Sequence, residues 1–364
     1  MIRRFAALCV MVTLVVAIPL TASASTKAML NNPIAVVVVG HTLWIANDGA
    51  NYPDGSTTSV VAFNTRTDRV VHWLAGSAKG LNDPSAIAAT ATHVWVASTE
   101  DSTLSEVSPT SGTIIGSTPL RYKGCNLRTT AMVASRTYVY VAALCVSSQY
   151  SPLGVLLKIS SSGAIVQALS STQLGRPVAL ALDKTSLWVA SNDQHRAESG
   201  LIQVSAARMT VTRVLRSSSL QLGRPAALAV VGPNLWVADE TDHHLAVIRT
   251  SDGDLLDFVN ASPSCMEFPT QLALVGSTLW VGSIPSNVIG IKASLVSVNT
   301  HTGSILGCTT APAGDLNSPV GVVATSRRLW VVNAYNDTLV EFTQRGIFLR
   351  EWRSAISTDG IYGR

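Results

Sequence analysis

Apolar residues come along this chain in short bursts, rich in Val, Ile, Leu and Ala, each ending in a polar or glycine-containing turn. Bursts of that length and composition predict β-strands and not helices. One compound phrase recurs among them: a proline opens an apolar run, a polar turn follows, and then comes hydrophobic-Trp-hydrophobic-small. Pro33 precedes Trp44, Pro84 precedes Trp95, Pro177 precedes Trp188, Pro225 precedes Trp236, Pro269 precedes Trp280 and Pro319 precedes Trp330, each by 11 positions. Between Trp95 and Trp188 the gap is doubled, and "TYVYVAAL" at its centre puts Tyr140 at the ring position, with Thr129 in place of the proline.

The seven rings stand 44 to 51 residues apart, the period of a propeller blade. The sequence therefore predicts an all-β fold, a seven-bladed β-propeller with four antiparallel strands per blade. In blade 1 the four are "PIAVVVV", "HTLWIAN", "SVVAFNT" and "RVVHWLA", running from the innermost strand outwards. The opening proline suits a strand start, where no ladder donor is needed. Blades are expected at 33–83, 84–128, 129–176, 177–224, 225–268, 269–318 and 319–356, forming one cooperative domain over 25–364, because a single blade cannot bury both of its faces. Side chains alternate across a strand, so Leu235 and Val237 are predicted to meet one neighbouring blade and Trp236 and Ala238 the other. Each end blade owns four strands, so closure is expected from side-chain packing of blade 7 on blade 1, helped by residues 26–30. The tail from Ser354 is expected to be loose.

The first segment changes the accounting of charge. Arg3 and Arg4, an apolar run from Phe5 to Leu20 and small residues at Ala22 and Ala24 read as a secretory signal over 1–24; an uncleaved anchor is the alternative. The net charge of +4 then falls to about +2, too weak for nucleic acid. No later stretch is long enough to span a membrane as a helix. A monomer in the secreted or periplasmic space is expected. Without Cys9, four cysteines remain, suited to an oxidising compartment. Cys125 and Cys265 each lie 15 residues before a ring position, and distant blades cannot meet within the roughly 7 Å that a disulfide allows. The predicted pairs are Cys125 with Cys145 and Cys265 with Cys308.

The "LWVAN/LWVAD" phrase, followed by a polar loop, a short apolar strand and a "T-x-T-G" turn, resembles the bacterial seven-bladed propellers of the YVTN, NHL and streptogramin lyase type over nearly all of the chain after the signal. The resemblance implies an extracytoplasmic binding or interaction module. Its lyase members imply a metal-assisted ring opening by histidine and acidic residues with magnesium. They commonly carry His directly after the inner-strand proline, where this chain has Ile34, Ser85, Val178, Ala226, Thr270 and Val320.

Among polar positions, Arg128, Arg176 and Arg224 stand out: 48 residues apart, each 12 before a ring residue. Three consecutive blades should present a guanidinium at the mouth of the central channel, a crescent of rigid donor forks suited to anions. Asn32, Asp83, Phe268 and Ser318 complete that ring. Loops after the second strands should reach the same rim with Asp48, Glu100, Asp101, Asp193, His195, Asp239, Glu240, Asp242, His243 and Asn336. Within "ADETDHH", Glu240 and His243 could form an acid-base pair or ligate Mg²⁺ or Ca²⁺. Two readings follow. The first is a non-enzymatic module, without cofactor or metal, that binds a protein, peptide or small anionic ligand at Arg128, Arg176, Arg224 and Asp83. The other is a metal-assisted lyase or hydrolase using Glu240 and His243.

Overall fold

The computed structural model describes residues 30–49, 58–75, 80–145, 153–192, 200–262, 264–285, 293–310 and 316–353. The segment 1–24 expected to be a signal, the lead 26–29, Asp193, His195 and the tail from 354 lie outside the described residues. Seven antiparallel sheets follow one another, each a meander in which chain order is spatial order, and the third gains a short fifth strand, Arg121–Tyr122. Blade 1 consists of Pro33–Val39, Thr42–Asn47, Ser59–Asn64 and Arg69–Ala75. Each inner strand touches that of the next blade, and Pro319–Ala324 of blade 7 returns to touch Pro33–Val39, so the ring closes.

Packing between blades follows the alternation of side chains. Trp236 and Ala238 lie against Leu279 and Val281 of blade 6, while Leu235 and Val237 lie against Trp188 and Ala190 of blade 4. The six tryptophans of the repeat phrase and Tyr140 are buried. In every blade the inner strand slips register just after its first core residue, as between Pro33 and Ala35 or between Thr129 and Ala131. The proline has no N–H to give to the ladder, so a bulge there costs no hydrogen bond.

The outer hairpin turn of each blade leans on the preceding blade. Gly112 of blade 2 has φ +65°, and a Cβ there would run into the His72 ring of blade 1. Glycine meets both demands, the left-handed backbone and the close approach. At the seam between blades 7 and 1 that turn position is Asp68, also left-handed at φ 55°. Its carboxylate accepts from Nη1 and Nη2 of Arg350 at 2.6 and 3.0 Å. Arg350 also donates from Nε to Glu341 at 2.6 Å and lies over the Trp352 ring at 4.6 Å. Beneath this network Leu30, Val36, Ile45 and Phe63 pack with Trp330, Val332 and Leu339. The ring is therefore closed by side chains, as the four-strand end blades predict; the guanidinium staple is an addition the repeat did not foretell.

Both predicted disulfides are present, with Cα separations of 5.7 Å for Cys125–Cys145 and 5.8 Å for Cys265–Cys308. The first joins the inner and second strands of blade 3, and the second ties the loop entering blade 6 to that blade's outer strand.

Candidate functional site

The chain crosses from one blade to the next over a single rim, and each crossing is held by two anchors. Three residues before the inner-strand proline stands a buried apolar side chain: Leu30, Leu81, Leu174, Leu222, Met266 or Leu316, with Leu127 two residues before Thr129 in blade 3. At the end of the second strand stands a buried polar one: Asn47, Ser98, Ser191, Asp239, Ser283 or Asn333. These reach back to the incoming loop. Ser191 donates to Leu174 O at 2.8 Å, Asn317 donates its backbone N–H to Asn333 Oδ1 at 3.3 Å, and Glu267 donates its own to Ser283 Oγ at 2.9 Å. Blade 3 has Ala143 opposite Thr129 at this position, and there the Cys125–Cys145 bridge ties the same two strands together. Polar anchors at buried strand ends keep loop N–H groups satisfied.

Blade 5 has the strongest anchor. Asp239 is fully buried, and its carboxylate accepts four backbone N–H groups: Gly223 at 2.6 Å, Arg224 at 2.9 Å, Thr241 at 3.1 Å and Asp242 at 3.2 Å. Those donors come from both loops that build the rim here, so one side chain fixes the backbone of Arg224 and of the "ETDH" turn. Asp239, expected on a loop that reaches the rim, is instead a buried structural group at the end of the second strand.

The two anchors fix the backbone of the residue before each proline. Its carbonyl accepts the N–H of the residue after the second strand: Asp48 N to Asn32 O, Thr99 N to Asp83 O, Asn192 N to Arg176 O, Glu240 N to Arg224 O and Ala334 N to Ser318 O, at 2.9 to 3.2 Å. The ring thus reads Asn32, Asp83, Arg128, Arg176, Arg224, Phe268, Ser318 in blade order. Arg224 is exposed and pairs with Glu240 at 3.3 Å. Among the described residues Arg128 and Arg176 have no ion pair within 4.0 Å.

Acids occupy the rim loops of other blades. Asp83 has its pKa raised, first by burial, then by Asp48 and Glu100, with Arg128 opposing. Asp337 is raised too, chiefly by burial, against the Asn32 N–H that donates to it at 2.6 Å. Asn32 also donates from Nδ2 to Asp48 at 2.6 Å. Interacting acids therefore gather on the rim loops of blades 7, 1 and 2, while the crossings into blades 3, 4 and 5 carry arginines. Tyr335, 83% exposed, stands on the loop of blade 7.

The raised Asp83 carboxyl makes a pH prediction. A folded pKa above the unfolded value of 3.8 means that the folded chain holds this proton more tightly, so ionisation costs stability as pH rises through the folded value. Asp83→Asn, at a left-handed φ of 53° that asparagine tolerates, is expected to unfold at higher denaturant concentration than wild type at neutral pH. The gain should shrink to nothing as pH approaches 3.8. Paired denaturation curves across pH check this.

Glu240 and His243 are not brought together. Glu240 faces Arg224, whereas His243 donates from Nδ1 to the Glu267 carbonyl of blade 6 and sets its ring edge-on to Phe268 at 5.0 Å. His244 is buried, its ring tilted against that of Phe258 at 4.4 Å, with its pKa lowered by burial against the pull of Asp239. Among the described residues no group of three His, Cys, Asp or Glu side chains could hold a metal ion.

No family model matches the chain, and no curated protein matches it. Many solved structures share its fold. A chain of Kuenenia stuttgartiensis hydrazine synthase is 14% identical with a TM-score of 0.65, covering 89% of this chain and 99% of its own length. The WD40 propeller domain of Doa1 is 12% identical with a TM-score of 0.60, covering 87% of this chain and 93% of its own. The propeller domain of Myceliophteria thermophila Cps50 (Swd1) is 11% identical with a TM-score of 0.60, covering 86% and 96% respectively. At these identities the likeness is one of architecture.

Proposed function

We propose that this protein is an exported, non-enzymatic binding module that receives a protein or peptide at the channel mouth, with Arg128, Arg176 and Arg224 taking the partner's carboxylates. The observation that supports the reading is the division of charge among the blade crossings: guanidiniums entering three consecutive blades, two of them with no ion pair within 4.0 Å among the described residues, and carboxyls of raised pKa on the loops of other blades. A partner with both signs of charge fits that mouth in one orientation. Tyr335 adds an exposed ring of the kind that anchors interfaces. Two cystines, together with an amino-terminal sequence that reads as a secretory signal, support an oxidising, extracytoplasmic location. Propeller domains such as the WD40 domain of Doa1 give this reading an architectural precedent.

The test is fluorescence anisotropy against a panel of labelled peptides that vary the spacing of Glu and Lys. Peptides of mixed charge should bind, weaken at high salt, and lose at least tenfold in affinity to the Arg128→Gln/Arg176→Gln/Arg224→Gln variant. Unchanged binding by that variant would sink the proposal.

A further inference from the structure

Blade 3 departs from the repeat a second time, on the rim opposite the arginines. Tyr140 replaces the tryptophan, and its cross-strand partner is Lys158. The same register position holds Ala62, Glu106, Gln203, Val247, Ser297 and Glu341 in the other blades. Where it is an acid elsewhere, a basic side chain answers it: His93 meets Glu106 at 3.1 Å, and Arg328 and Arg350 meet Glu341 at 3.0 and 2.6 Å. Lys158 is 7% exposed, and among the described residues no carboxylate lies within 4.0 Å of its ammonium. Its Nζ donates to Ala206 O at 2.9 Å and Ala207 O at 3.4 Å, and it lies 4.2 Å from the centre of the Tyr138 ring. A buried cation balanced only by carbonyl dipoles and a ring face leaves the surroundings short of one negative charge.

Lys158 lines a cleft of 670 Å³ between blades 3 and 4. Lys184 and Arg208, both exposed, stand on its walls with Thr185, Ser205 and Leu182. Asp183, the acid beside Lys184, already accepts the Lys184 backbone N–H at 2.6 Å. The Tyr140 hydroxyl donates to the Ala206 carbonyl at 3.2 Å, so it adds no negative charge.

We infer that this cleft is a second binding site, separate from the rim of arginines, and that it takes a carboxylate carried on an aliphatic stem. With two of its three N–H groups on carbonyls, Lys158 has one left for a ligand. That single deep donor suits one carboxylate oxygen. Phosphate sites, by contrast, gather several backbone N–H groups. Lys184 and Arg208 add positive charge at the entrance, and Leu182 and Tyr138 supply walls for the stem. The carboxylate belongs either to a free diacid or to a glutamate side chain of a peptide.

Isothermal titration calorimetry on the full chain separates these cases, using glutarate, an end-blocked tetraglutamate and inorganic phosphate as probes. Lys184→Gln/Arg208→Gln is the informative variant, because both side chains are exposed and their removal should leave the thermal midpoint unchanged. In an Arg128→Gln/Arg176→Gln/Arg224→Gln background, which removes the carboxylate site proposed at the rim, the expected result is one remaining site for glutarate or tetraglutamate, at least tenfold weaker once Lys184→Gln/Arg208→Gln is added. Tighter tetraglutamate identifies a peptide source and tighter glutarate a small molecule. Lys158→Met should abolish binding; if it fails to fold, the wall variant still decides. Phosphate binding as tightly as either carboxylate, no binding by either carboxylate, or carboxylate affinity untouched by the wall variant, would overturn the inference. Failure here leaves the arginine rim intact, since the two sites respond to different substitutions.

Discussion

Asp239→Ala is expected to cost about 3 to 5 kcal/mol of folding free energy, because it strands several buried backbone N–H groups together. The carboxylate accepts from Gly223, Arg224, Thr241 and Asp242, and water does not reach it. Asp239→Asn should rescue little of this. An amide turns one acceptor into a donor, which would then face the Gly223 or Arg224 N–H. Blades 1 and 7 do use asparagine here, but under a different demand: the carbonyl accepts Asn31 N or Asn317 N, and the Nδ2 donates to Ser59 or Thr338. Urea unfolding measures the loss, and an Asn variant as stable as wild type would show that the four contacts are not what holds this crossing. Because the Arg224 backbone is among the donors, the surviving folded fraction should also bind peptides at the rim more weakly.

The second large effect belongs to the rings between blades. Trp188→Ala removes a fully buried indole from the contact with Leu235 and Val237, and a loss of about 3 to 5 kcal/mol follows from the deleted packing and the cavity left behind. Trp188→Phe should cost less than half as much. The indole N–H groups of Trp44, Trp95, Trp188, Trp236, Trp280 and Trp330 are buried without an acceptor, so phenylalanine gives up volume and no hydrogen bond. Equal losses for the two variants would mean that the N–H has a partner, such as a bound water. Tyr140 shows the other solution, a smaller ring whose hydroxyl reaches the Ala206 carbonyl at 3.2 Å.

The architecture was legible because packing repeats. A proline at a bulge and a ring between sheets must recur in each blade, so the blade count, the direction each strand faces and the cystine pairs could all be taken from spacing. The rim was only partly legible. Arg128, Arg176 and Arg224 recur at a constant offset to the rings, but their surroundings depend on loops whose sequences differ from blade to blade. Asp239 looked like a surface acid because it sits in a run of polar residues. The signal that would have placed it inside was its register with Asn47, Ser98, Ser191, Ser283 and Asn333, every one polar and buried at a strand end. Leu30, Leu81, Leu174, Leu222, Met266 and Leu316 were likewise visible as a column, three before each proline. Lys158 could not be seen from spacing at all, since what marks it is the lack of a nearby carboxylate, and that is known only in three dimensions.

A joint without a shared strand also orders events during synthesis. Blade 1 is complete once Ala75 has emerged, yet the surface of Leu43, Ile45, Val61 and Phe63 that must meet Trp330 waits for the end of blade 7, roughly 280 residues later. At about 5 to 20 residues per second that interval lasts some 15 to 55 s. For that time a nascent chain offers neighbouring polysomes a sticky β-sheet face, and a holding chaperone has most to gain by shielding the earliest sector.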